Sequence, residues 1–261
     1  MTIVTYPPLT KSQVRCFARD GFVVCPSLAS PVACGKMRRI AEMHLSQLIA
    51  PVEYEVDVLY PGGPSDPDEP GGRTSRRLLQ AFARDEVFRE WSTSEILAAI
   101  LAQLFASGTG VMLSQCHHNC IMTKSPGFSS ATLWHQDVRY WSFDHENLIS
   151  VWLALGTEDK SNGCLRVIPG SHLMELERGR LDASLFLRPE LAQNKDLLQK
   201  VKVIELSPGD VLFFHARLFH AAGRNLTEET KLSPVFTYHE ADNLPIEGTR
   251  SAKYPSIRVS V

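Results

Sequence analysis

Residues 207–225, with the sequence SPGDVLFFHARLFHAAGRN, contain the pattern that decides the fold class. Pro208-Gly209 suits a type II turn, and the run DVLFFH after it is rich in the β-branched and aromatic residues that favour strands. From Gly110 onward similar runs recur between turn signals such as Asn162-Gly163, namely VMLSQCHHNCIMTK, ATLWHQDVRYW, LISVWLALG, CLRVIPG, VKVIEL and KLSPVFTYH. About seven or eight strands at these spacings predict an antiparallel double-sheet roll.

The chain before residue 110 is predicted to be mainly helical. Thr10 is a good N-cap, Gln13 can complete a capping box with it, and Gly21 is placed to end this first helix. Ser30 before Pro31 repeats the start signal. Further predicted elements are a short strand at FVVCP, a second helix to about Leu48, and a helical segment from about Asp85 to Phe105 divided at residues 92–94. We therefore predict one domain over residues 1–261, with a helical part in residues 1–109 and a β core in residues 110–261.

Residues 60–75, YPGGPSDPDEPGGRTS, contain four prolines and four glycines. Neither a helix nor a central strand tolerates this composition, so the stretch is predicted to be a long loop. Long loops inside compact domains are often lids or binding loops. We interpret this one as a lid near a site, with a plain surface excursion as the alternative.

The composition argues against several classes of partner. The 27 Lys and Arg against 29 Asp and Glu give a formal charge of -2, which supplies no general attraction to nucleic acid or to an acidic membrane. No apolar run approaches the ~20 residues that cross a bilayer, and the N-terminus lacks the pattern of a signal peptide, so a cytoplasmic location is predicted. The six cysteines form no CxxC pair, which argues against a disulfide framework and a thiolate zinc site.

The histidine and the aspartate of LWHQDVRYW, residues 133–141, are candidate metal ligands. His135 and Asp137 stand two apart, so in a strand their side chains share one face, with alpha carbons about 6.5 to 7 Å apart. His220, at the end of another predicted strand, is a third candidate. Two histidines and one carboxylate form the facial triad that holds non-haem Fe(II) and leaves positions open for an oxidant and a cosubstrate. Taken singly, His135 would more often be an ordinary hydrogen-bonded histidine, but the set of three favours a metal site.

Four stretches, LWHQDVRYW, VWLAL, NGCLRVIPGSH and SPGDVLFFHARLFHAAGRN, together resemble the phytanoyl-CoA dioxygenase family of Fe(II)- and 2-oxoglutarate-dependent oxygenases. The N-terminal LTKSQVRCFARDGFVVCPSLAS extends the resemblance to most of the chain, and it is weakest between about residues 50 and 110. The resemblance implies a double-stranded β-helix, the cupin-like jelly roll, as the core. It also implies a reaction in which O2 and 2-oxoglutarate give succinate and CO2 while the iron centre oxidises a substrate, usually by hydroxylation.

The resemblance also assigns roles to individual residues. His135, Asp137 and His220 match the family's iron ligands, and the carboxylate of Asp137 argues against a halogenating branch, in which a small residue stands at that position. Trp152 and Cys120 stand where the family has residues that contact 2-oxoglutarate.

One position departs from the family pattern. Eleven residues after the second histidine the family usually has an arginine that pairs with the far carboxylate of 2-oxoglutarate, and this chain has Lys231 there. Arginine grips a carboxylate through two parallel hydrogen bonds, whereas lysine offers a mobile point charge. Lys231 is the favoured anchor for 2-oxoglutarate, and Arg224 is the alternative.

Candidate substrate contacts follow from strand geometry. On an unbroken strand Cys116, His118, Cys120 and Met122 would share a face, so His118 would point into the barrel and His117 outward. A packed or surface histidine is the alternative for His118.

Three arginines are candidates for holding an anionic group of the substrate. Arg139 would continue the ligand face beyond Asp137 towards the pocket mouth, and Arg76 with Arg77 follows the Pro/Gly loop, where a surface pair is the alternative. Four other residues are interpreted as structural: Tyr140, Trp141, His172 and His215.

We therefore predict an Fe(II)- and 2-oxoglutarate-dependent dioxygenase that hydroxylates a polar or anionic small molecule and has no nucleic-acid or membrane partner. Two alternatives stay open. One is a cupin-like enzyme that does not use 2-oxoglutarate and whose metal is a Lewis acid. The other is a degenerate binding protein that keeps the fold but has lost turnover, which the lysine at position 231 motivates. The sequence indicates neither the substrate nor the oligomeric state.

Overall fold

The structure, a computed structural model, describes residues 9–58, 60–106 and 108–259. The helices in these ranges are α1 (Lys11–Asp20), α2 (Pro31–Ser46), α3 (Ala81–Arg84), α4 (Glu86–Ser92), α5 (Glu95–Phe105) and α6 (Ala192–Leu198). The strands are β1 (Phe22–Cys25), β2 (Val52–Tyr54), β3 (Ser75–Leu79), β4 (Val111–Leu113), β5 (Asn119–Lys124), β6 (Thr132–His135), β7 (Leu148–Leu153), β8 (Leu165–Val167), β9 (Lys202–Val203), β10 (Val211–His215), β11 (His220–Ala222), β12 (Lys231–Glu240) and β13 (Ile257–Val259). Within the described ranges, none of the helices is both long enough and apolar enough to cross a lipid bilayer.

The strands form a large sheet and a small sheet. The large sheet has the order β1-β10-β7-β12-β5-β3-β2, and β4 joins it by pairing with β12 and with β13. The small sheet has the order β6-β11-β8-β9. Every pairing between these strands is antiparallel. The predicted jelly-roll core with flanking helices is confirmed.

The N-terminal third is less purely helical than the sequence predicted. Besides five helices, it supplies three strands to the large sheet. The predicted strand at FVVCP is β1, which pairs with β10 in the register Phe22 to Phe214. The strands β2 and β3 were missed, because β2 has only three residues and the sequence of β3, SRRLL, carries two adjacent arginines. They extend the large sheet beyond β5.

The predicted helix starts are confirmed by their caps. The backbone amide of Gln13 donates to the Thr10 hydroxyl (3.2 Å), and the Gln13 side chain accepts from the backbone amide of Thr10 (2.9 Å). The Ser30 hydroxyl accepts from the amide of Ala33 at the start of α2. Gly21 ends α1 with φ 82°, and a Cβ there would lie 2.5 Å from the ring of His172, so glycine is required on both counts. The predicted division near residues 92–94 separates α4 from α5, whereas α2 ends at Ser46 rather than near Leu48.

Side chains of the large sheet alternate between two cores. Val211 and Phe213 of β10 pack in the core that the helices cover, whereas Leu212 and Phe214 pack in the core between the two sheets. The other strands follow the same period of two, and residues of β5, β7 and β12 that face the small sheet include Cys120, Met122, Trp152 and Val235. The interior face of the large sheet is therefore available for a site between the sheets.

We expect Tyr238→Phe to lower the free energy of unfolding by about 1 to 2 kcal/mol, because it leaves a buried carbonyl without its donor. The Tyr238 ring is fully buried on β12, and its hydroxyl donates to the carbonyl of Ser92 at the end of α4 (2.7 Å). Urea unfolding followed by circular dichroism measures the loss. The matched control is Tyr254→Phe, because that ring is 43% exposed and should change stability by less than about 0.5 kcal/mol. Equal effects of the two changes would show that the contact between β12 and α4 contributes nothing.

Candidate active site

Two histidines lie directly opposite each other in the small sheet. His135 ends β6, His220 begins β11, and the two are paired in the antiparallel register. Asp137 follows in a 3-10 turn, and its backbone amide donates to the carbonyl of Ala216 (2.9 Å), in the turn that leads to His220. The strand therefore stops at His135, and a turn rather than a continued strand aims the carboxylate at the two imidazoles. Strand alternation correctly predicted that His135 and Asp137 lie close together. The turn after His135, and not a shared strand face, is what brings them together.

The three side chains converge on one point. Oδ1 of Asp137 lies 3.6 Å from Nε2 of His135 and 3.7 Å from Nε2 of His220. The candidate ligand atoms all lie within 4.8 Å of one another, and all three residues are buried. Nδ1 of His135 lies 2.8 Å from the carbonyl of Leu133, and Nδ1 of His220 lies 3.0 Å from that of Leu218. A carbonyl only accepts, so both Nδ1 atoms carry the proton and both Nε2 lone pairs face the shared space.

The charges at this point suit a cation. Burial by itself would raise the pKa of Asp137, but the imidazoles of His118, His220 and His135 outweigh it and hold that pKa below its ordinary value. Burial and the nearby His135 ring lower the pKa of His220 to about 4, so this imidazole is neutral at pH 7. A carboxylate together with imidazole nitrogens is the donor set that a divalent transition metal needs.

The second oxygen of Asp137 also has partners. Ser150, on the interior face of β7, donates to Oδ2 at 3.4 Å, and Nδ1 of His118 lies 3.6 Å from the same oxygen. Burial lowers the pKa of His118, and its Nδ1 lies 3.2 Å from the Ser150 hydroxyl. These contacts orient the carboxylate and place His118 directly beside the candidate metal position.

A cavity of about 620 Å³ opens from the triad between the two sheets. Its lining includes most of the residues that the sequence singled out: His135, Asp137, His220, Trp152, Cys120, Lys231, His118, Arg76, Arg77, Tyr140 and Trp141. Tyr60 lies at its edge, 5.2 Å from the ring of Phe186 and under the guanidinium of Arg76. Residues 60–74 form neither helix nor strand, as predicted. Tyr60, the first residue of this loop, lies at the cavity wall.

Lys231 is not a free cation. It begins β12 on the interior face, and its ammonium donates to the carboxylate of Glu158 (2.9 Å). Glu158 is 1% exposed and also accepts from the indole N–H of Trp152 (3.1 Å) and from the hydroxyl of Ser233 (2.6 Å). These bonds satisfy the buried carboxylate opposite the lysine. The lysine that the sequence favours as the anchor of 2-oxoglutarate therefore already has a carboxylate partner.

The two arginines after the Pro/Gly loop are not a surface pair. Arg76 is 4% exposed and donates to Glu55 (2.9 Å), while Ser130 bonds both members of this ion pair. Arg77 lies 3.1 Å from Glu53. In the described part of the chain the Nε atoms of both arginines are buried without a hydrogen-bond partner.

Three expectations about pocket residues are corrected. Arg139 lies in the turn after Asp137 rather than on a strand face, and its guanidinium stacks on Phe186 at 3.9 Å, away from the cavity lining. His117 is buried rather than outward, since β5 begins only at Asn119, and its Nε2 bonds the Ser251 hydroxyl (2.7 Å). Arg224 is exposed and does not line the cavity, so nothing in the geometry favours it as an anchor.

His172 and His215 remain apart from the triad. Their rings lie 5.4 Å from each other, and neither lines the cavity. This position agrees with the structural role that the sequence suggested for them.

Sequence reasoning missed five residues of the cavity region: Lys124, Ser150, Glu158, Arg250 and Lys253. Lys124 continues the alternation of Cys120 and Met122 along β5, so the same pattern could have identified it. Ser150 likewise shares a strand face with Trp152 on β7, whereas no local pattern marks the other three, because each meets the site only through contacts between distant segments.

Comparison with known proteins gives the family. The family model described as phytanoyl-CoA dioxygenase (PhyH) matches residues 17–233. The peroxisomal phytanoyl-CoA dioxygenase of Bos taurus is 25% identical over 252 residues, which cover 92% of this chain and 72% of that protein.

Solved structures show the same fold. EctD from S. alaskensis, in a crystal structure with 2-oxoglutarate and 5-hydroxyectoine, superposes with a TM-score of 0.72 at 20% identity, covering 93% of this chain and 80% of EctD. SnoK, a non-heme alpha ketoglutarate dependent carbocyclase from nogalamycin biosynthesis, superposes with a TM-score of 0.71 at 20% identity, covering 98% and 100% of the two chains. The family match spans most of the chain and includes His135, Asp137 and His220. The chain therefore belongs to the phytanoyl-CoA dioxygenase family of Fe(II)- and 2-oxoglutarate-dependent oxygenases.

Proposed function

We propose that this protein hydroxylates an anionic small molecule, with His135, Asp137 and His220 holding Fe(II) and with 2-oxoglutarate bound in the adjoining cavity. The observation that carries the proposal is the convergence of the three side chains at the inner end of that cavity. When bound, the iron supplies with O2 and 2-oxoglutarate the oxidising power for hydroxylation, and succinate and CO2 are released.

The residues fit an iron ion. Both imidazoles present Nε2 because their Nδ1 atoms are bonded to backbone carbonyls, and the carboxylate between them is ionised. Metal-binding histidines usually donate their second N–H in this way, which fixes the ring and its tautomer. Ser150 and His118 act on the other oxygen of Asp137 and keep it directed at the same point.

The residues also fit 2-oxoglutarate. We assign Lys231 as the anchor of the far carboxylate, because it lines the cavity and Arg224 does not. Trp152 forms a wall beside it, with the Lys231 ammonium 4.9 Å from the indole ring, and Cys120 lies on the neighbouring strand β5. The cavity of about 620 Å³ leaves room for a second small molecule beside the cosubstrate.

The charge at the cavity mouth supports an anionic substrate. Among the described residues, neither Arg250 nor Lys253 has a carboxylate within 4 Å, although both line the cavity. Ser251 between them fixes their turn, because its hydroxyl bonds His117 and accepts from the backbone amide of Ser142. The arginines that the sequence nominated, Arg76 and Arg77, already have carboxylate partners.

The family also supports an alternative outcome at the same site. SnoK is a carbocyclase, so a family fold does not by itself fix the product of substrate oxidation. The pairing of Lys231 with Glu158 further favours a binding protein without turnover as the second candidate. Release of succinate with a cognate substrate separates an oxygenase from both the binding protein and a cupin enzyme that does not use 2-oxoglutarate.

Two broader proposals accompany this function. We propose that residues 1–261 act as one domain, because strands from the N-terminal third complete the sheet that carries Trp152 and Lys231. We also propose a cytoplasmic location, which fractionation of the host cells tests.

We expect His220→Ala to abolish stoichiometric Fe(II) binding, because it removes one of three protein ligands. Residues that only hydrogen-bond to a metal ligand already contribute about 10- to 100-fold to metal affinity. Removal of a ligand itself should therefore weaken Fe(II) binding by at least about 100-fold. Anaerobic titration with Fe(II), with metal content measured after desalting, reads out the change.

The control for that change is His145→Ala, since His145 is exposed and not among the triad. It should keep full Fe(II) stoichiometry. Retained iron in the folded His220→Ala protein would refute the assignment of the triad.

We expect the double change Lys231→Met with Glu158→Gln to weaken 2-oxoglutarate binding by about 10- to 100-fold, the value of a hydrogen bond to a charged group. Changing both residues avoids leaving the buried Glu158 carboxylate without its partner, which would unfold the protein for an unrelated reason. Calorimetry on the iron-loaded protein without O2 measures the affinity.

Two controls separate the possible anchors. Glu158→Gln alone keeps the lysine and frees it from its partner, so binding should be at least as tight as in the wild type. Arg224→Met should change affinity by less than about twofold, as an exposed charge does. A larger loss from Arg224→Met than from the double change would identify Arg224 as the anchor.

We expect a screen of small metabolites, read out by succinate release, to favour carboxylates and phosphates over neutral and cationic compounds. For the best anionic substrate, the double change Arg250→Gln with Lys253→Gln should raise KM several-fold while the affinity for 2-oxoglutarate stays unchanged. A preference for cationic substrates, or an unchanged KM, would show that Arg250 and Lys253 do not take part in substrate recognition.

A further inference from the structure

Lys124 lies directly opposite Lys231 across two neighbouring strands. Lys124 ends β5, Lys231 begins β12, and the two are partners in the antiparallel register. Both side chains line the cavity. Side chains of directly opposed residues in such a pair are about 4.5 to 5.5 Å apart at Cβ, so the two lysines extend from nearly the same place.

The charge of the anchor pair is already balanced. Lys231 is bonded to Glu158, whose remaining acceptor positions are filled by Trp152 and Ser233. One ammonium and one carboxylate contribute no net charge to this end of the cavity. A carboxylate of 2-oxoglutarate that arrived here would meet the negative charge of Glu158 as well as the positive charge of Lys231.

Lys124 is the cation that can balance the incoming carboxylate. In the described part of the chain its ammonium donates to the carbonyl of Ser130 (3.2 Å), a neutral acceptor, and no carboxylate lies within ion-pair distance of it. Gly163 leaves space for this side chain, since a Cβ there would come within 2.8 Å of Cε of Lys124. The positive φ of 75° at Gly163 also favours glycine. Both the space needed by Lys124 and the backbone conformation therefore call for glycine at this position.

The groups around Lys124 work mainly against its charge. Burial is the largest cause, and Lys231 from β12, Arg76 from β3 and Arg166 from β8 add to it, while Glu55 from the turn after β2 opposes it. Together they lower the pKa of Lys124 to about 7. An anion placed beside this ammonium relieves the repulsion, so the protonated form is the form that binds it.

We propose that Lys124 is a second cosubstrate-binding residue, which shares the far carboxylate of 2-oxoglutarate with Lys231 and supplies the positive charge that Glu158 removes from that lysine. This inference rests on the proposed use of 2-oxoglutarate by the same cavity. It assigns the anchor to two lysines on adjacent strands in place of one arginine. Because Lys124 must be protonated to act, binding takes up a proton at pH values above its pKa.

The test is calorimetry of 2-oxoglutarate binding to the Fe(II)-loaded protein without O2, at pH 8 in two buffers that differ in ionisation enthalpy. We expect the wild type to take up about 0.4 to 0.8 of a proton, and its affinity to fall by about 6- to 20-fold between pH 6.5 and 8.5, as a single group with a pKa of about 7 requires when its charge is worth about 10- to 100-fold in affinity. Lys124→Met should bind about 10- to 100-fold more weakly at pH 6.5 and should take up no proton.

Two comparisons keep the test specific. Lys200→Met removes an exposed lysine and should leave affinity and proton uptake unchanged. Lys124→Arg keeps the charge at every pH tested, so its affinity should no longer fall between pH 6.5 and 8.5.

Each result decides a different question. If the wild type binds 2-oxoglutarate but Lys124→Met binds it equally well, or if the wild type takes up no proton, the role of Lys124 is overturned and the proposed function stands. If the Fe(II)-loaded wild type does not bind 2-oxoglutarate at all, the proposed function fails and this inference fails with it.

Discussion

The period of two along the strands of the large sheet is the constraint on which the rest of the molecule depends. One set of side chains packs under the helices, and the alternate set faces the small sheet. Sliding β12 by one residue would move Lys231 under the helices and turn its apolar neighbour Leu232 towards the cavity. The burial that stabilises the fold and the placement of the polar groups are therefore set by the same register.

The small sheet has a different task, because it holds two histidines opposite each other at the ends of short strands. The pairing of His135 with His220 fixes the separation of the two rings, and backbone carbonyls fix their tautomers. Asp137 is held by a backbone bond to Ala216 rather than by sheet pairing. Main-chain contacts thus help to position each ligand candidate, while Nε2 of each histidine and Oδ1 of Asp137 face the shared point.

Two of the charged groups in the cavity wall are members of buried ion pairs. Arg76 with Glu55, and Lys231 with Glu158, are buried ion pairs whose members also bond to serines or to a tryptophan. Such pairs contribute little net stability, because desolvation of both charges offsets their attraction. Their effect is to fix the positions of groups that would otherwise adopt many rotamers, and so to give the cavity a defined shape.

Much of the fold and the core of the site could be predicted from the sequence. The strand-like runs after residue 110 predicted the roll, and the spacing of His135 and Asp137, together with His220 on another predicted strand and the family resemblance, predicted the triad. The place of Arg139 was predicted wrongly, because no local signal marks the point where β6 gives way to a turn. Glu158 could not be found at all, since it meets Lys231 only through a contact between segments 73 residues apart. Contacts of this kind depend on the tertiary fold and produce no periodic pattern in the sequence.

The bond between Lys231 and Glu158 gives the cavity an internal counter-ion. Chloride, acetate or phosphate from the surrounding solution would have to compete with a carboxylate that is already in place, buried and held by three hydrogen bonds. A small inorganic ion brings few other contacts to offset that competition, whereas a longer dicarboxylate would also contact other residues of the cavity. The ion pair therefore favours longer anions that make several contacts in the cavity over small anions that carry the same charge.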